Sequence, residues 1–369
     1  QTRGRHAGAH HLQVLSGRPV PLSRRQLLLG SAAASPLLAS CAADLTRYQG
    51  QLVAEVAASL GVCAAAFATL RAGQVQPTAV AGHCSAAPDA IFQAASLTKP
   101  AIAYGALRLV LAGQLDLQAS VAHYLPPGYA HYQHALRRGP GDASDTVPPS
   151  TLARIPVASL LNHTSGLPNW TSGVLAPAFD PGQRWRYSGE GYVLLQAVIE
   201  AVTATPIVQW MQAQVFAPLG MRDSSMVWTG AYEGRAVHGN GAAAGGLHWN
   251  VPVAAASLYT TAGDFARLLA AFVADERLTA LVQSAPVVAD KVLGLEWGYG
   301  WGIERTAAGP MFWQWGNNPG FRNFAMLSPT TRDGFVLLTN SDQGMALAAP
   351  LAQQVLPGEH PVFRSPLLG

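Results

Sequence analysis

The chain has 369 residues, of which 49% are hydrophobic and only 12% are charged, against about 25% charged in an average globular protein. This composition excludes a disordered or coiled-coil protein and predicts one large domain or two interleaved subdomains. All basic residues before Cys41 are arginines, and no acid precedes it. The rest of the chain has 18 basic residues against 20 acidic ones, a net charge of −2, so we expect no nucleic-acid partner.

An export signal is predicted at the start of the chain. Ser23-Arg24-Arg25-Gln26 precedes an apolar stretch of small residues that ends in Leu38-Ala39-Ser40-Cys41 and is too short to span a bilayer. The paired arginines resemble a twin-arginine signal, and the last four residues resemble a bacterial lipobox, in which the cysteine is lipidated. We therefore interpret 1–41 as a signal, leave 1–22 uninterpreted, and expect a periplasmic protein that is anchored to the outer membrane through lipid at Cys41. The alternative is an apolar helix with a buried cysteine.

The next segment is predicted to be a helix followed by a hairpin. Residues 44–61 have the pattern of an amphipathic helix with an aspartate cap, and 62–84 have that of two strands joined by a tight turn. The hairpin sets Cys63 nearly opposite Cys84. The two cysteines are thus either a disulfide, as an oxidising compartment would favour, or two unpaired buried thiols.

The remaining elements predict a layered fold. A helix is expected from Ser96 through Leu111, a long surface excursion over 124–156, and mainly helices over 157–275. The last hundred residues are short aromatic or β-branched runs separated by turn residues, which is typical of an antiparallel meander. With a closing helix over 345–356, this predicts a helix-sheet-helix sandwich in which both ends of the chain contribute to one sheet.

One residue pair suggests chemistry. The chain has only two lysines, Lys99 and Lys291, and Lys99 stands three residues after Ser96. Positions i and i+3 of a helix lie one above the other, so the amine could reach the hydroxyl. A desolvated lysine can lose its proton and act as a base near neutral pH, whereas arginine cannot. Ser96 is therefore the candidate nucleophile of a hydrolase and Lys99 its base.

Several motifs in this order resemble the superfamily of serine β-lactamases and penicillin-binding proteins, nearest its class C β-lactamase-like and esterase branch. They are Ser96-Leu97-Thr98-Lys99, the segment Leu160–Pro168 (LLNHTSGLP) and Tyr187-Ser188-Gly189. The resemblance extends from about Val53 to the C-terminus. It implies an α/β (α+β) fold of the β-lactamase/transpeptidase type in one domain, 44–369. The sheet subdomain would comprise 44–95 and 285–369, and a mainly helical subdomain about 96–284.

The resemblance also implies roles for individual residues. Tyr187 would pass a proton between Ser96, Lys99 and the leaving group, and the backbone amides of Ser96 and Asn317 would form the oxyanion hole. His163 lies in a segment that is chiefly structural in this family. We therefore expect it to be a turn histidine whose hydrogen bonds are satisfied.

Two motifs depart from the family pattern. Gln314-Trp315-Gly316 aligns with the third motif and keeps its glycine but lacks its cation, while Gly189 stands where the second motif has an asparagine that contacts a substrate amide. These four positions are candidate substrate-binding residues. Arg322 is a fifth, which could supply the missing charge or be a solvated rim residue. The candidate set is Gln314, Trp315, Gly316, Gly189 and Arg322. We expect Gly316 to let substrate approach the strand.

The predicted function follows from these losses. An ionic hydrogen bond to a substrate carboxylate is worth about 1.5–3 kcal/mol, which neutral Gln314 cannot supply. We therefore expect an esterase that takes neutral esters or small amides, with weak or absent β-lactamase activity. The alternatives are a D,D-peptidase or β-lactamase, and a non-catalytic binding or sensor protein. No cofactor or metal is expected, because His123, His131 and His134 have no carboxylate or cysteine beside them in the sequence; we interpret them as loop residues.

Overall fold

The computed structural model describes residues 44–84, 86–134, 141–240 and 248–368. The predicted export signal and Cys41 lie outside these ranges. The described strands are β1 (Ala65–Arg71), β2 (Gln74–Val75), β3 (Ala79–Ala81), β4 (Phe92–Gln93), β5 (Tyr129–Tyr132), β6 (Ser144–Val147), β7 (Tyr259–Thr260), β8 (Val287–Asp290), β9 (Leu295–Trp297), β10 (Gly302–Thr306), β11 (Gly309–Asn318), β12 (Phe321–Leu327) and β13 (Gly334–Thr339). The described α-helices are α1 (Val53–Ser59), α2 (Thr98–Leu111), α3 (Val121–Tyr124), α4 (Pro149–Leu152), α5 (Val157–Leu161), α6 (Gly189–Thr203), α7 (Ile207–Met211), α8 (Ala262–Ala274), α9 (Glu276–Gln283) and α10 (Ala348–Val355).

One large antiparallel sheet organises the described chain. Its strands run in the order β2-β1-β13-β12-β11-β10-β9-β8. Strand β3 also pairs with β1, at residues 65–67, whereas β2 pairs with it at Leu70 and Arg71. Strand β1, near the start, pairs with β13, near the end, in a register that sets Ala65 opposite Thr339 and Leu70 opposite Gly334. The prediction that the two ends of the chain share one sheet is therefore confirmed.

Both faces of this sheet are covered, which explains why its central strands read as continuous apolar runs. In β13, Phe335 and Leu337 point to a core that includes α1 and α10. Val336 and Leu338, on the opposite face, join the core formed with α2, α6 and α8. Because successive side chains of a strand alternate between faces, one strand serves both layers. The predicted helix-sheet-helix sandwich is confirmed.

Two predicted elements differ from the structure. The single helix over 44–61 is a 3₁₀ turn at Leu45–Tyr48, capped by Asp44, followed by the separate helix α1. Between them Gly50 has a φ of +80°, a left-handed conformation that ends the first turn. The surface excursion over 124–156 contains structure of its own, since β5 and β6 pair as an antiparallel hairpin and α4 follows.

In the described ranges no single helix is long and apolar enough to cross a membrane. Helix α6 and the adjoining segment Ile207–Phe216 are together long and apolar enough to cross one, but the chain bends by 78° between them. Most of the large apolar side chains of this pair are buried in the core, as in a core helix of a globular protein.

Cys63 and Cys84 form a disulfide at the edge of the sheet. Their Cα atoms are 4.8 Å apart, and they are separated by 21 positions in the sequence. The backbone also pairs there, since the amide of Cys84 donates to the carbonyl of Cys63 over 2.7 Å. The structure thus has the predicted disulfide and not the alternative of two unpaired buried thiols.

This crosslink should stabilise the fold measurably. Closing a loop of this length restricts the unfolded chain, an effect of about 3 kcal/mol. We expect the double variant Cys63→Ser/Cys84→Ser to lose about that much free energy of unfolding in urea titrations without reductant. Dithiothreitol should destabilise the native protein and leave the variant unchanged. Equal stability of the two proteins under oxidising conditions would show that the crosslink does not contribute.

Candidate active site

The proposed nucleophile lies on a constrained turn. Ser96 is in a 3₁₀ turn, Ala95–Leu97, that leads directly into α2. Ala95 has a φ of +51°, a left-handed conformation that costs energy for a residue with a side chain and that clusters at functional sites. Thr98 holds the turn, because its hydroxyl donates to the Ala95 carbonyl over 2.6 Å and accepts from the Leu258 amide over 3.0 Å.

Strand β11 passes close beside this turn. A Cβ atom at Gly316 would lie 2.4 Å from the Ala94 carbonyl oxygen and 3.3 Å from the Ser96 nitrogen. A residue with a side chain at position 316 would therefore push the nucleophile away from the strand. The sequence predicted that Gly316 makes room for substrate; the structure shows that the space belongs to the turn of the nucleophile itself.

A buried amide network also fixes the segment before Ser96. The Gln93 side-chain oxygen accepts from Asn318 Nδ2 over 3.0 Å and from Trp249 Nε1 over 3.1 Å. Asn323 Nδ2 donates to the Gln93 carbonyl over 2.9 Å. Sequence reasoning missed these residues because they are far apart in the sequence and meet only in the folded chain.

Lys99 is within reach of Ser96, as the spacing predicted. Its Nζ lies 3.0 Å from Ser96 Oγ and 2.8 Å from the carbonyl oxygen of Ala255. The side chain is 1% exposed, and in the described residues it forms no ion pair with a carboxylate. Burial without a counter-charge lowers the pKa of Lys99 from 10.5 to about 7. A neutral amine is thus available near neutral pH.

Tyr187 completes the cluster but has the opposite shift. Its ring centroid lies 4.7 Å from Lys99 Nζ, and its hydroxyl accepts a hydrogen bond of 3.0 Å from Gln314 Nε2. Burial raises the pKa of Tyr187 well above its ordinary value, although the Ser96 and Gln314 side chains oppose the shift. Because Tyr187 then stays a neutral phenol, Lys99 is the readier base and Tyr187 is suited to donate a proton.

His163 lies behind Tyr187 and differs partly from expectation. Its ring centroid is 4.4 Å from that of Tyr187, and its Nδ1 accepts from the Ser188 amide over 3.2 Å. Burial, and then the nearby charge of Lys99, lower the pKa of His163 well below its usual range, so the ring stays neutral. Nδ1 is satisfied as predicted, whereas Nε2 is buried without a hydrogen-bond partner in the described structure.

A cleft of about 490 Å³ opens at Ser96. Tyr187, Trp315 and Asn317 of the predicted set line it, so the two proposed oxyanion amides border one space. The sequence did not predict the other walls, which come from distant loops and from the last turn of the chain. None of the lining side chains is charged; the described residues around the cleft are Ser96, Asn169, Trp170, Tyr187, Ala256, Trp315, Asn317, Asn318, Pro366 and Leu367.

Four predicted substrate-binding residues are absent from this described lining: Gly316, which packs against the Ser96 turn, and Gln314, Gly189 and Arg322. Gln314 is fully buried behind Tyr187 and also donates to the Trp315 carbonyl over 2.9 Å. At Gly189, a Cβ atom would lie 2.6 Å from the Asn169 carbonyl oxygen and 2.9 Å from the Trp170 ring, so these neighbours fill the space beside it. Arg322 pairs with Asp342 over 2.9 Å instead of facing the cleft.

His131 is not a loop residue. It lies on β5 with its side chain 1% exposed, and the fold brings two carboxylates to it. Its Nδ1 is 2.6 Å from Asp145 Oδ1, and its Nε2 is 3.5 Å from Glu190 Oε1. The sequence showed no carboxylate beside this histidine because Asp145 is on the partner strand and Glu190 is on α6. The described residues contain no grouping that could hold a metal ion.

The buried amine should make stability depend on pH. The pKa of Lys99 falls from 10.5 in the unfolded chain to about 7 in the fold, so the unfolded state binds more protons between these values and stability rises with pH across that window. Lys99→Met removes the effect. We therefore expect the difference in unfolding free energy, variant minus native protein, to be largest at pH 6 and to decrease toward pH 10. The total decrease is about 1.4 kcal/mol for each unit by which the pKa of Lys99 is lowered.

Urea unfolding at several pH values measures this difference, and Lys291→Met, which changes the exposed second lysine, is the matched control. A pH-independent difference for Lys99→Met would show that the amine is not depressed.

Comparisons with known proteins identify the family to which the chain belongs. Residues 50–358 match the Beta-lactamase family. The chain is 32% identical over 169 residues to Esterase EstB of Burkholderia gladioli, covering 38% of this chain and 39% of that protein. It is 28% identical over 159 residues to Penicillin-binding protein 4* of Bacillus subtilis (strain 168), covering 37% of this chain and 30% of that protein. The matched stretches are thus well under half the length of these relatives.

A solved class C β-lactamase superposes with a TM-score of 0.67 at 16% identity, over 86% of this chain and 97% of the other. This likeness shows the shared fold. With the family match extending over most of the sequence, the chain belongs to the Beta-lactamase family, within the superfamily of serine β-lactamases and penicillin-binding proteins.

Proposed function

We propose that this protein is a serine hydrolase that acts through an acyl-enzyme on neutral esters or small amides. The observation that carries the proposal is the 3.0 Å contact between Lys99 Nζ and Ser96 Oγ at the base of a cleft with no charged lining residue among those described. The similarity to an esterase and to a penicillin-binding protein supports a member of this chemistry class.

Acylation would begin with proton transfer. Neutral Lys99 takes the Ser96 hydroxyl proton as Oγ bonds to the substrate carbonyl carbon, and the carbonyl electron pair moves onto its oxygen. The amides of Ser96 and Asn317 donate to that oxyanion. When the intermediate collapses, the bond to the leaving group breaks and the departing oxygen or nitrogen receives a proton through Tyr187, which is replenished from the Lys99 ammonium.

In deacylation, water is the nucleophile and Ser96 is the leaving group. Water enters in place of the departed alcohol or amine, and Lys99 accepts its proton as the water oxygen bonds to the acyl carbon. Collapse releases the carboxylic acid and returns the proton to Ser96. The cycle consumes one water and requires no other reactant. Its base must be neutral, which a pKa of about 7 for Lys99 allows.

Charge argues for neutral substrates. A substrate carboxylate that enters this cleft would lose water without gaining an ionic partner, and such a partner is worth about 1.5–3 kcal/mol. Arg322, the cation suggested from the sequence as such a partner, is held by Asp342 and by the Asn318 carbonyl, at 2.9 Å and 3.0 Å. Penicillin-type substrates carry a carboxylate, so we expect them to react more slowly than simple esters.

The test combines labelling with turnover. We expect a fluorophosphonate to label the protein and p-nitrophenyl acetate to be hydrolysed faster than nitrocefin. Ser96→Ala should abolish labelling and lower kcat/KM by at least about 1000-fold, because no other group replaces the attacking oxygen. Ser284→Ala, which changes an exposed serine, is the matched control and should retain both activities.

The other outcomes identify the alternatives. Faster hydrolysis of nitrocefin than of p-nitrophenyl acetate would favour a β-lactamase or D,D-peptidase. Absence of labelling in the native protein would contradict hydrolysis and favour a non-catalytic binding protein on the same scaffold.

A further inference from the structure

The last turn of the described chain forms part of the cleft wall. Pro366 and Leu367 border the same space as Ser96 and Tyr187. They belong to a short 3₁₀ turn, Pro366–Leu368, about 270 positions after the nucleophile in the sequence. Leu367 is only partly buried, so part of its apolar surface faces the cleft.

Buried contacts hold this turn in place. Val362, Phe363 and Leu368 are at most 6% exposed and belong to the core that covers one face of the sheet. The ring of Phe363 lies 5.4 Å from that of Phe324 on β12. The Leu367 amide donates to Ser365 Oγ over 3.3 Å. The wall is therefore a fixed part of the fold, which a specificity-determining surface requires.

A buried ion pair provides a second anchor. His360 Nδ1 contacts Glu304 on β10, and both side chains are 1% exposed. The other carboxylate oxygen of Glu304 accepts from the Val362 amide over 3.1 Å, and His360 Nε2 contacts the Leu356 carbonyl over 2.6 Å. Strand β10 and the end of α10 thus fix the direction in which the chain enters its final turns.

Large apolar side chains supply the neighbouring walls. Trp170 is 44% exposed, which is unusual for so large an apolar residue, and it borders the cleft together with Trp315. Removing apolar surface from water contributes about 25 cal/mol per Å². Trp315 is 8% exposed, so most of the available apolar surface lies on Leu367 and Trp170. A substrate group that covers these two side chains would gain binding energy that a small alkyl group cannot.

We propose that Leu367, Trp170 and Trp315 form an apolar subsite that selects esters with an aromatic or branched apolar group. The catalytic consequence rests on the proposed hydrolase function, whereas the binding itself does not. The polar atoms near Ser96 would orient the ester carbonyl, and the subsite would receive the bulky group attached to the carbonyl carbon or to the ester oxygen.

Binding to a variant that cannot form an acyl-enzyme tests the subsite. In Ser96→Ala we would measure dissociation constants of phenyl acetate, methyl benzoate and methyl acetate by calorimetry. At least one aromatic ester should bind more tightly than methyl acetate. Adding Leu367→Ala should reduce the ratio of the methyl acetate dissociation constant to that of the aromatic ester about five- to tenfold. This is the effect of losing one partly covered leucine. Trp170→Ala, on a different loop, should reduce it at least as much.

Leu52→Ala changes a leucine that is 58% exposed and does not border the described cleft, so it should leave the preference intact. Circular dichroism and thermal unfolding would check that each variant is folded. An aromatic preference that is absent in Ser96→Ala, or that survives both Leu367→Ala and Trp170→Ala, would overturn the subsite. Because catalysis is not needed for these measurements, failure of ester hydrolysis by the native protein would contradict the hydrolase proposal separately.

Discussion

The chemistry proposed for this protein depends on a buried amine that pairs with no acid among the residues the structure describes. Lys99 Nζ has a carbonyl oxygen at 2.8 Å, a hydroxyl at 3.0 Å and two tyrosine rings as its surroundings. A carboxylate in that position would stabilise the ammonium and prevent it from acting as a base. Burial of Lys99 therefore costs folding free energy below its unfolded pKa, and it leaves a neutral amine beside one hydroxyl near neutral pH.

Rigid neighbours give that amine its geometry. The Ser96 turn lies between Gly316 on the central sheet and the backbone of Leu258, which hydrogen-bonds Ala94 and Thr98. In the same segment the Ala255 carbonyl accepts from Lys99 Nζ. A substitution that adds atoms at Gly316 would consequently affect the nucleophile without touching any reacting group.

Local signals made part of this structure predictable. The Ser96–Lys99 contact follows from helical spacing alone, and the shared sheet follows from apolar runs at both ends of the sequence. What could not be predicted depends on long-range packing. The carbonyl that holds Lys99 is 156 positions away, the cleft walls at Trp170 and Leu367 come from separate loops, and His131 meets its carboxylates only in the folded chain. Gln314 was predicted to face substrate because the pattern gave its strand but not which face it occupies.

The protonation of Lys99 can be observed directly. With ¹³C label at the lysine Cε positions and Lys291→Met removing the second lysine, the spectrum contains one side-chain ammonium or amine to follow. NMR titration should show this group changing protonation at a pKa of about 7. A Cε chemical shift that shows Lys99 still protonated at pH 9 or above would contradict the account, because no neutral base would then lie beside Ser96 at physiological pH.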